Sequence, residues 1–526
     1  MKEIQTFLQE HYKKVKPVYK KLTLSYWNAT TTGKPEFYKE YEEVQIEIEK
    51  IYNNKEDFEK VKKFYNEEIK DKLLKRQIKI IYNSYLSSQG DINLLTEIIK
   101  ISTKIEERFN GFRAMINDKE YSDNGIKDIL KSEKDSEKLK QAWEASKKQG
   151  EVVEKELLEL IRLRNRLAKE NGFKNYHERN LILSEQNPEQ IDEIFEKVDA
   201  LTRGSFEKIK KDMDEFLKKK LNVNKLLPWH YQDLFFQEGP EIYHLDLDRY
   251  YEKNVLKNAI DFYDSINLPV NDILEKSDLY EKPGKYQHAY CIDIDKEGDT
   301  RVLMNLKDNE KWMDTTLHEL GHAVYDKCIS HNLPFVLIDS AHTFVTEAIA
   351  LLFGRLSKNK YFLKRYCNIN KEDLMKIDED SRKSLRLRQL VFSRWTLVMV
   401  NFERQLYENP EQDLNKLWWD LVKRYQLIDF SRDKPDWASK IHLVSSPVYY
   451  HNYMLGEMLA SQLIHYISKN IVKTEGYEID FCGKKEIGDY LKEKIFVHGR
   501  FYGWDELIRN ATGEDLNPDY FAEQFC

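Results

Sequence analysis

No stretch of the 526-residue chain approaches the roughly eighteen consecutive apolar residues that a membrane-spanning helix needs. The opening segment "MKEIQTFLQEHYKKVKPVYK" lacks the apolar run followed by small residues that marks a secretory leader. The five cysteines (Cys291, Cys328, Cys367, Cys482 and Cys526) are odd in number, far apart and never spaced as CxxC. That excludes a disulfide framework and a cysteine zinc ribbon, and it fits a reducing, cytoplasmic setting in which the Asn-x-Thr triplets at Asn28 and Asn510 are chance matches. An excess of positive charge is missing too: the net charge of -7 gives no electrostatic reason to expect nucleic acid as a partner. There is no GxSxG, no phosphate loop and no GxGxxG, which removes the usual nucleophilic-serine, nucleotide and dinucleotide enzymes. Proline is scarce between 36 and 220, and no fixed-period repeat or low-complexity linker occurs, so one continuous body over 1–526 is expected.

What the chain does have is 41% apolar and 33% charged residues with 13% aromatics, enough to bury a large core and suited to a helix-rich, mainly α protein. In "DSEKLKQAWEASKKQGEVVEKELLELIRLRNRLAKENGF", residues Leu139, Ala142, Trp143, Leu157, Leu160, Ile161, Leu163 and Leu167 recur near every three to four positions, the period of one helix face. Gly150 interrupts this run, and Asn171-Gly172 reads as its left-handed C-cap. The convincing β signal is "HAYCIDIDKEGDTRVLMNL" (288–306), two β-prone runs flanking a turn at Glu297-Gly298-Asp299. Its acids imitate the start of a calcium loop, but Met304 stands where that loop needs a bidentate glutamate, so a hairpin is the reading. Helices are expected again over 310–329, 341–356, 370–407 and 448–469.

The segment "TTLHELGHAVYD" (315–326) carries the chemistry. Residues four apart on a helix stand one above the other, so His318 and His322 can present imidazole nitrogens to one ion. Glu319, turned about a hundred degrees from His318, then lies beside the metal, where a base acting on water belongs. A surface histidine pair is the bland alternative. Zinc needs a third protein ligand, and the HExxHxxGxxH solution is absent because positions 325 and 328 are Tyr and Cys. A lone glutamate, Glu347, does occur among Val345, Ala348, Ile349 and Leu352 on the following helix, which Asp339 or Ser340 can cap. Burying it is costly unless it is paired or bound to metal, so it is the expected third ligand, with a salt bridge as the alternative.

HELGH followed after 24 residues by Glu in "TEAIA" resembles the glutamate-zincin peptidases of the angiotensin-converting-enzyme family and their relatives, thimet oligopeptidase and oligoendopeptidase F. "HAYCIDIDKEGDTRV" is similar to that family's His-Ala strand, "SKIHLVSSPVYYHNY" to its Lys-x-His and double-tyrosine segment, and "LIRLRNRLAKENGFKNYHERNL" to the helix-turn before the catalytic half; together they cover about 150 to 460, with weaker likeness outside. The resemblance implies an all-helical body of two halves enclosing a deep channel, with the 288–306 hairpin and the 310–356 helix pair at a single Zn2+ ion. It implies Glu319 as base and then acid, Tyr453 as oxyanion donor, His288 and the Ala289 backbone as a strand that holds substrate, and His442 as a carbonyl ligand. Lys440 and Tyr450 match positions that grip a free C-terminal carboxylate. On the residues alone, Tyr450 and Tyr453 could equally be packing residues, and their spacing from His442 is one residue longer than in the converting enzyme. Asn452 stands where chloride-dependent members carry arginine, which implies no chloride activation. Leu351 replaces an aspartate that often orients a zinc histidine, leaving Asp314 and Asp326, each one turn from a zinc histidine, as substitutes or as ordinary surface acids.

The expected function is therefore zinc-dependent hydrolysis of short peptides, with release of C-terminal dipeptides favoured by Lys440 and Tyr450. An internally cleaving oligopeptidase is the alternative, and a catalytically inactive helical peptide-binding protein is the reading from another class. Manganese or cobalt could substitute for zinc on this ligand set.

Overall fold

The computed structural model describes every residue except His244 and Lys253. Among the described residues the architecture is mainly α. The elements that matter below are helices α1 (Lys2–Thr32), α2 (Pro35–Tyr52), α3 (Ser136–Glu170), α4 (Pro188–Leu221), α5 (Glu310–Cys328), α6 (Thr343–Gly354), α7 (Lys371–Glu408) and α8 (His451–Tyr466). Two short antiparallel pairs complete it: β1 (Ala114–Ile116) with β2 (Lys119–Tyr121), and β3 (Tyr290–Asp293) with β4 (Thr300–Leu303). No helix among the described residues is long and apolar enough to cross a membrane.

The chain forms two compact units, each assembled from separated segments. The first comprises Met1–Gln89, Leu245–Ser381 and Leu455–Tyr520. Its hairpin has the register Tyr290↔Leu303 to Asp293↔Thr300, and Gly298 in the turn has φ +102. Trp27 of α1 packs with Ile294 and Leu303, while Thr23 Oγ1 donates to the Ile294 carbonyl at 2.6 Å. The other side of the hairpin meets α5. The acids that imitate a calcium loop are spent on the turn: Asp293 Oδ1 accepts from the Lys296 N–H at 2.8 Å and Asp295 Oδ1 from the Glu297 N–H at 3.0 Å.

Helix α5 starts at Asn309, whose side chain accepts from the Trp312 N–H at 2.9 Å. Helix α6 is capped by His342, whose Nδ1 accepts from the Phe344 N–H at 3.3 Å. Asp339 and Ser340, the caps read from sequence, stand too early in the chain; Asp339 instead faces Lys296 at 3.5 Å. Two glycines let α5 and α6 approach closely. A Cβ on Gly321 would stand 3.0 Å from Ala350 Cα, and one on Gly354 would stand 2.7 Å from Asp314 Oδ1. This spacing brings Glu347 opposite the two histidines.

The second unit comprises Gly90–His244, Arg382–Met454 and Phe521–Cys526. Trp143, Trp229, Trp419 and Phe430 form an aromatic nucleus with ring centroids 4.8 to 6.3 Å apart. Helix α3 buries every expected core position except Leu163, which is half-buried. Asp135 caps its start, and Gly172 at φ +86 ends it. Gly150 does not interrupt the helix; a Cβ there would lie 2.2 Å from the Pro435 carbonyl oxygen, so glycine serves a close approach. The β1–β2 pair is the element that sequence reading missed. Its signal was the Asn117-Asp118 dipeptide, both residues at positive φ, as a two-residue hairpin turn requires.

Candidate active site

The first unit gathers three metal-type donors. His318, His322 and Glu347 each offer a ligand atom, and all lie within 4.8 Å of one another. His318 Nε2 faces Glu347 Oε1 at 3.8 Å and His322 Nε2 faces Glu347 Oε2 at 3.6 Å, with the two imidazole rings nearly perpendicular at 82°. Three donors at about 2.0–2.2 Å from one tetrahedral centre would stand about 3.3–3.5 Å apart, close to the 3.8 and 3.6 Å that separate Glu347 from the two histidines. The spacing is too long for direct hydrogen bonds and suits an ion between the groups.

Each histidine is held in the form that a cation requires. Burial lowers the His318 pKa, against the pull of the Glu347 carboxylate, and burial together with His318 lowers His322 to about 3. Both are neutral imidazoles at neutral pH. His322 Nδ1 meets Thr346 Oγ1 at 2.8 Å, a contact that orients the ring and leaves Nε2 for the ion. Asp326 does not take this part; its carboxylate meets the Cys291 thiol at 3.7 Å. Glu319 is 8% exposed, and burial, reinforced by the Glu347 charge, raises its pKa to about 8. A cation among the three donors opposes both causes. His288 and Ala289 directly precede β3, His288 exposed and 5.2 Å ring to ring from Tyr286.

The second unit gathers the other expected residues around Tyr450. Its ring lies 5.1 Å from His442 and 5.3 Å from Tyr453, and its hydroxyl accepts from Trp395 Nε1 at 2.6 Å. Lys440 Nζ sits 5.1 to 5.3 Å over the rings of Phe235, Trp395 and Tyr450 and donates to Gln237 Oε1 at 2.6 Å. Burial lowers this ammonium to about 8 despite the opposing charge of Asp233. Burial, with Lys440 adding to it, lowers His442 to about 4, so it too is neutral. Asn452 Oδ1 accepts from Gln186 Nε2 at 2.8 Å, and Gln186 Oε1 meets His451 Nε2 at 2.7 Å, so a buried side-chain network ties Asn452 to His451. Sequence reading missed Gln237 and Phe235, because nothing in the loop at 231–239 signals them, and Trp395, which lies among the apolar residues of α7. Thr346, adjacent to Glu347 on an otherwise apolar helix, could have been found.

Two buried charges fix the backbone between His442 and Tyr450. Arg164 donates to the carbonyls of Leu443 and Val444 at 2.8 and 2.7 Å, and Glu403 Oε1 accepts from the Val448 N–H at 2.7 Å. Burial raises Glu403 to about 7, with the Val448 N–H and Arg164 opposing. Since its folded pKa lies above the ordinary glutamate value of 4.5, its stabilising share is complete below 4.5 and is lost as pH rises through 7. Glu403→Gln keeps the acceptor without the charge. It should gain on the wild type by about 2–3 kcal/mol between pH 5 and pH 9 in urea unfolding; a pH-independent difference would count against this reading.

The sequence model of peptidase family M3 matches residues 129–526, a span that contains every residue named above from His288 onward. The chain belongs to peptidase family M3. A second model, described as angiotensin-converting enzyme, matches residues 1–235, so similarity extends beyond the 150–460 segment at both ends. Both families are zinc metallopeptidases. Among curated proteins, carboxypeptidase 1 of Bacillus subtilis (strain 168) is 24% identical over 258 residues, 45% of this chain and 51% of that protein. Thermostable carboxypeptidase 1 of Pyrococcus furiosus is 25% identical over 238 residues, 40% of this chain and 45% of that protein. The chain thus spans about half the length of the curated relatives it matches.

Proposed function

We propose that this protein is a zinc-dependent peptidase acting on short peptides, and that it reads the free C-terminus of its substrate. The observation that carries the first part is the convergence of His318, His322 and Glu347, two neutral imidazoles and one carboxylate, with Glu319 on the adjacent position of α5. That donor set fits zinc in ligand type and spacing, and three ligands leave one corner for substrate or solvent. A zinc ion held there would polarise the scissile carbonyl and make water acidic enough to attack near neutral pH.

The residues of the chain supply the remainder. Glu319 accepts the proton of the attacking water and returns it to the departing amine, a role supported by its place beside the three donors on α5. The Tyr453 hydroxyl donates to the oxyanion as the carbonyl carbon becomes tetrahedral. His288 and the Ala289 backbone hold the substrate as an added strand, and the neutral His442 bonds a carbonyl on the leaving-group side. Lys440, steadied by Gln237 and backed by Tyr450, is the cation that receives a terminal carboxylate. The name carboxypeptidase on both relatives favours this over internal cleavage. Release of a dipeptide is the finer proposal, and the product masses decide it.

Matched peptides ending in a free acid or an amide test the clamp. The amide should be cleaved at least about tenfold more slowly, and Lys440→Met should bring the acid down to the rate of the amide, the loss of one charge-assisted contact. Equal rates on both peptides in the wild type would favour an internally cleaving oligopeptidase.

A further inference from the structure

We infer that Gly456 is a positioning residue for Glu347: by carrying no side chain, it leaves the third ligand the room that sets its carboxylate opposite His318 and His322. The inference rests on the zinc reading proposed above. Gly456 belongs to the stretch of α8 that packs on α6 within the first unit. A Cβ added there would stand 3.3 Å from Glu347 Cγ, 3.5 Å from Glu347 Cβ and 3.4 Å from the Phe344 carbonyl oxygen. The first of these is tighter than ordinary van der Waals contact. The Phe344 carbonyl is helix backbone and cannot yield, so the adjustment falls on the Glu347 side chain. Cγ is one bond from the carboxylate carbon, and a displacement of a few tenths of an ångström there is passed on to the oxygens that face the two Nε2 atoms. Metal–ligand distances tolerate only about 0.2 Å.

The next residue, Glu457, forms an ion pair with Arg355 at the end of α6, with both side chains less than a tenth exposed, so this part of α8 is tied to α6. Conformation does not call for glycine: Gly456 is not among the positive-φ glycines and lies inside a helix, where alanine is ordinarily the more stable choice. The approach of Glu347 is what the missing side chain serves.

The test is competition for zinc between the protein and a chromogenic chelator, read for wild type, Gly456→Ala and Gly204→Ala. In the last, the added methyl meets nothing within 4 Å. Gly456→Ala should bind zinc about tenfold more weakly, the usual scale for disturbing a ligand's support, with the melting temperature of the zinc-free protein unchanged or raised. Gly204→Ala should match wild type. In a Glu347→Ala background the Gly456→Ala change should have no further effect on zinc. Equal affinity of Gly456→Ala and wild type would overturn the inference, as would the same loss in both backgrounds. If Gly456→Ala alone fails to fold, Gly456→Ala/Glu347→Ala should fold because the obstructing Cγ is gone, and failure of the double variant would also overturn it. A wild type that takes up no zinc would overturn the proposed function itself, an outcome distinct from all of these.

Discussion

Glu319→Gln should lower kcat/KM for peptide hydrolysis by roughly a thousandfold, the scale of a lost general base, while bound zinc stays at the wild-type level. The two halves of this result have separate causes. Glutamine matches glutamate in shape but cannot take a proton from water, so the chemical step fails. Metal retention follows because Glu319 is not one of the three donors within 4.8 Å of each other. The 8% exposure of Glu319 makes the variant benign for folding, since a neutral amide is cheaper to bury than a carboxylate. Steady-state rates on a peptide with a free C-terminus, with metal analysis of the same samples, check both halves. Unchanged hydrolysis would remove this site from the reaction, and lost zinc would mean that Glu319 supports the ion and not the proton transfer.

Arg164→Ala should cost about 3 kcal/mol in urea unfolding, the scale for removing a buried charged donor from its acceptors. Its guanidinium donates to Leu443 and Val444 and to the Tyr407 hydroxyl at 3.2 Å, and its removal strands three buried acceptors. The same change frees the backbone that carries His442 toward Tyr450. KM for C-terminally free peptides should therefore rise in the variant, with zinc affinity unaffected because the three donors belong to the other unit. A loss below about 1 kcal/mol would mean that water replaces the guanidinium without penalty.

The grouping of His318, His322 and Glu347 was legible because its geometry is local. His318 and His322 are fixed one above the other by helical periodicity, and Glu347 was conspicuous as a carboxylate among Val345, Ala348, Ile349 and Leu352. The β3–β4 hairpin was legible for a similar reason: β-branched and aromatic runs bracket a glycine turn, and the observed register runs from Tyr290↔Leu303 to Asp293↔Thr300. Contacts between distant segments were not. Gln237 reaches Lys440 across 203 positions, and Gly456 matters only because Glu347 lies against it. Gly150 shows the limit plainly. A glycine inside a periodic run weakens the expectation of helix, yet here it admits the Pro435 carbonyl to the helix surface. The α6 cap differs from the sequence expectation because the helix starts at Thr343, three residues beyond Ser340, and His342 takes the capping position while Asp339 faces Lys296.

Metal analysis of the purified protein addresses the central claim most directly. Wild type should carry one zinc per chain after dialysis, and His318→Ala, His322→Ala and Glu347→Ala should each fall far below one. A wild type without bound metal, or full occupancy retained in all three variants, would contradict the account.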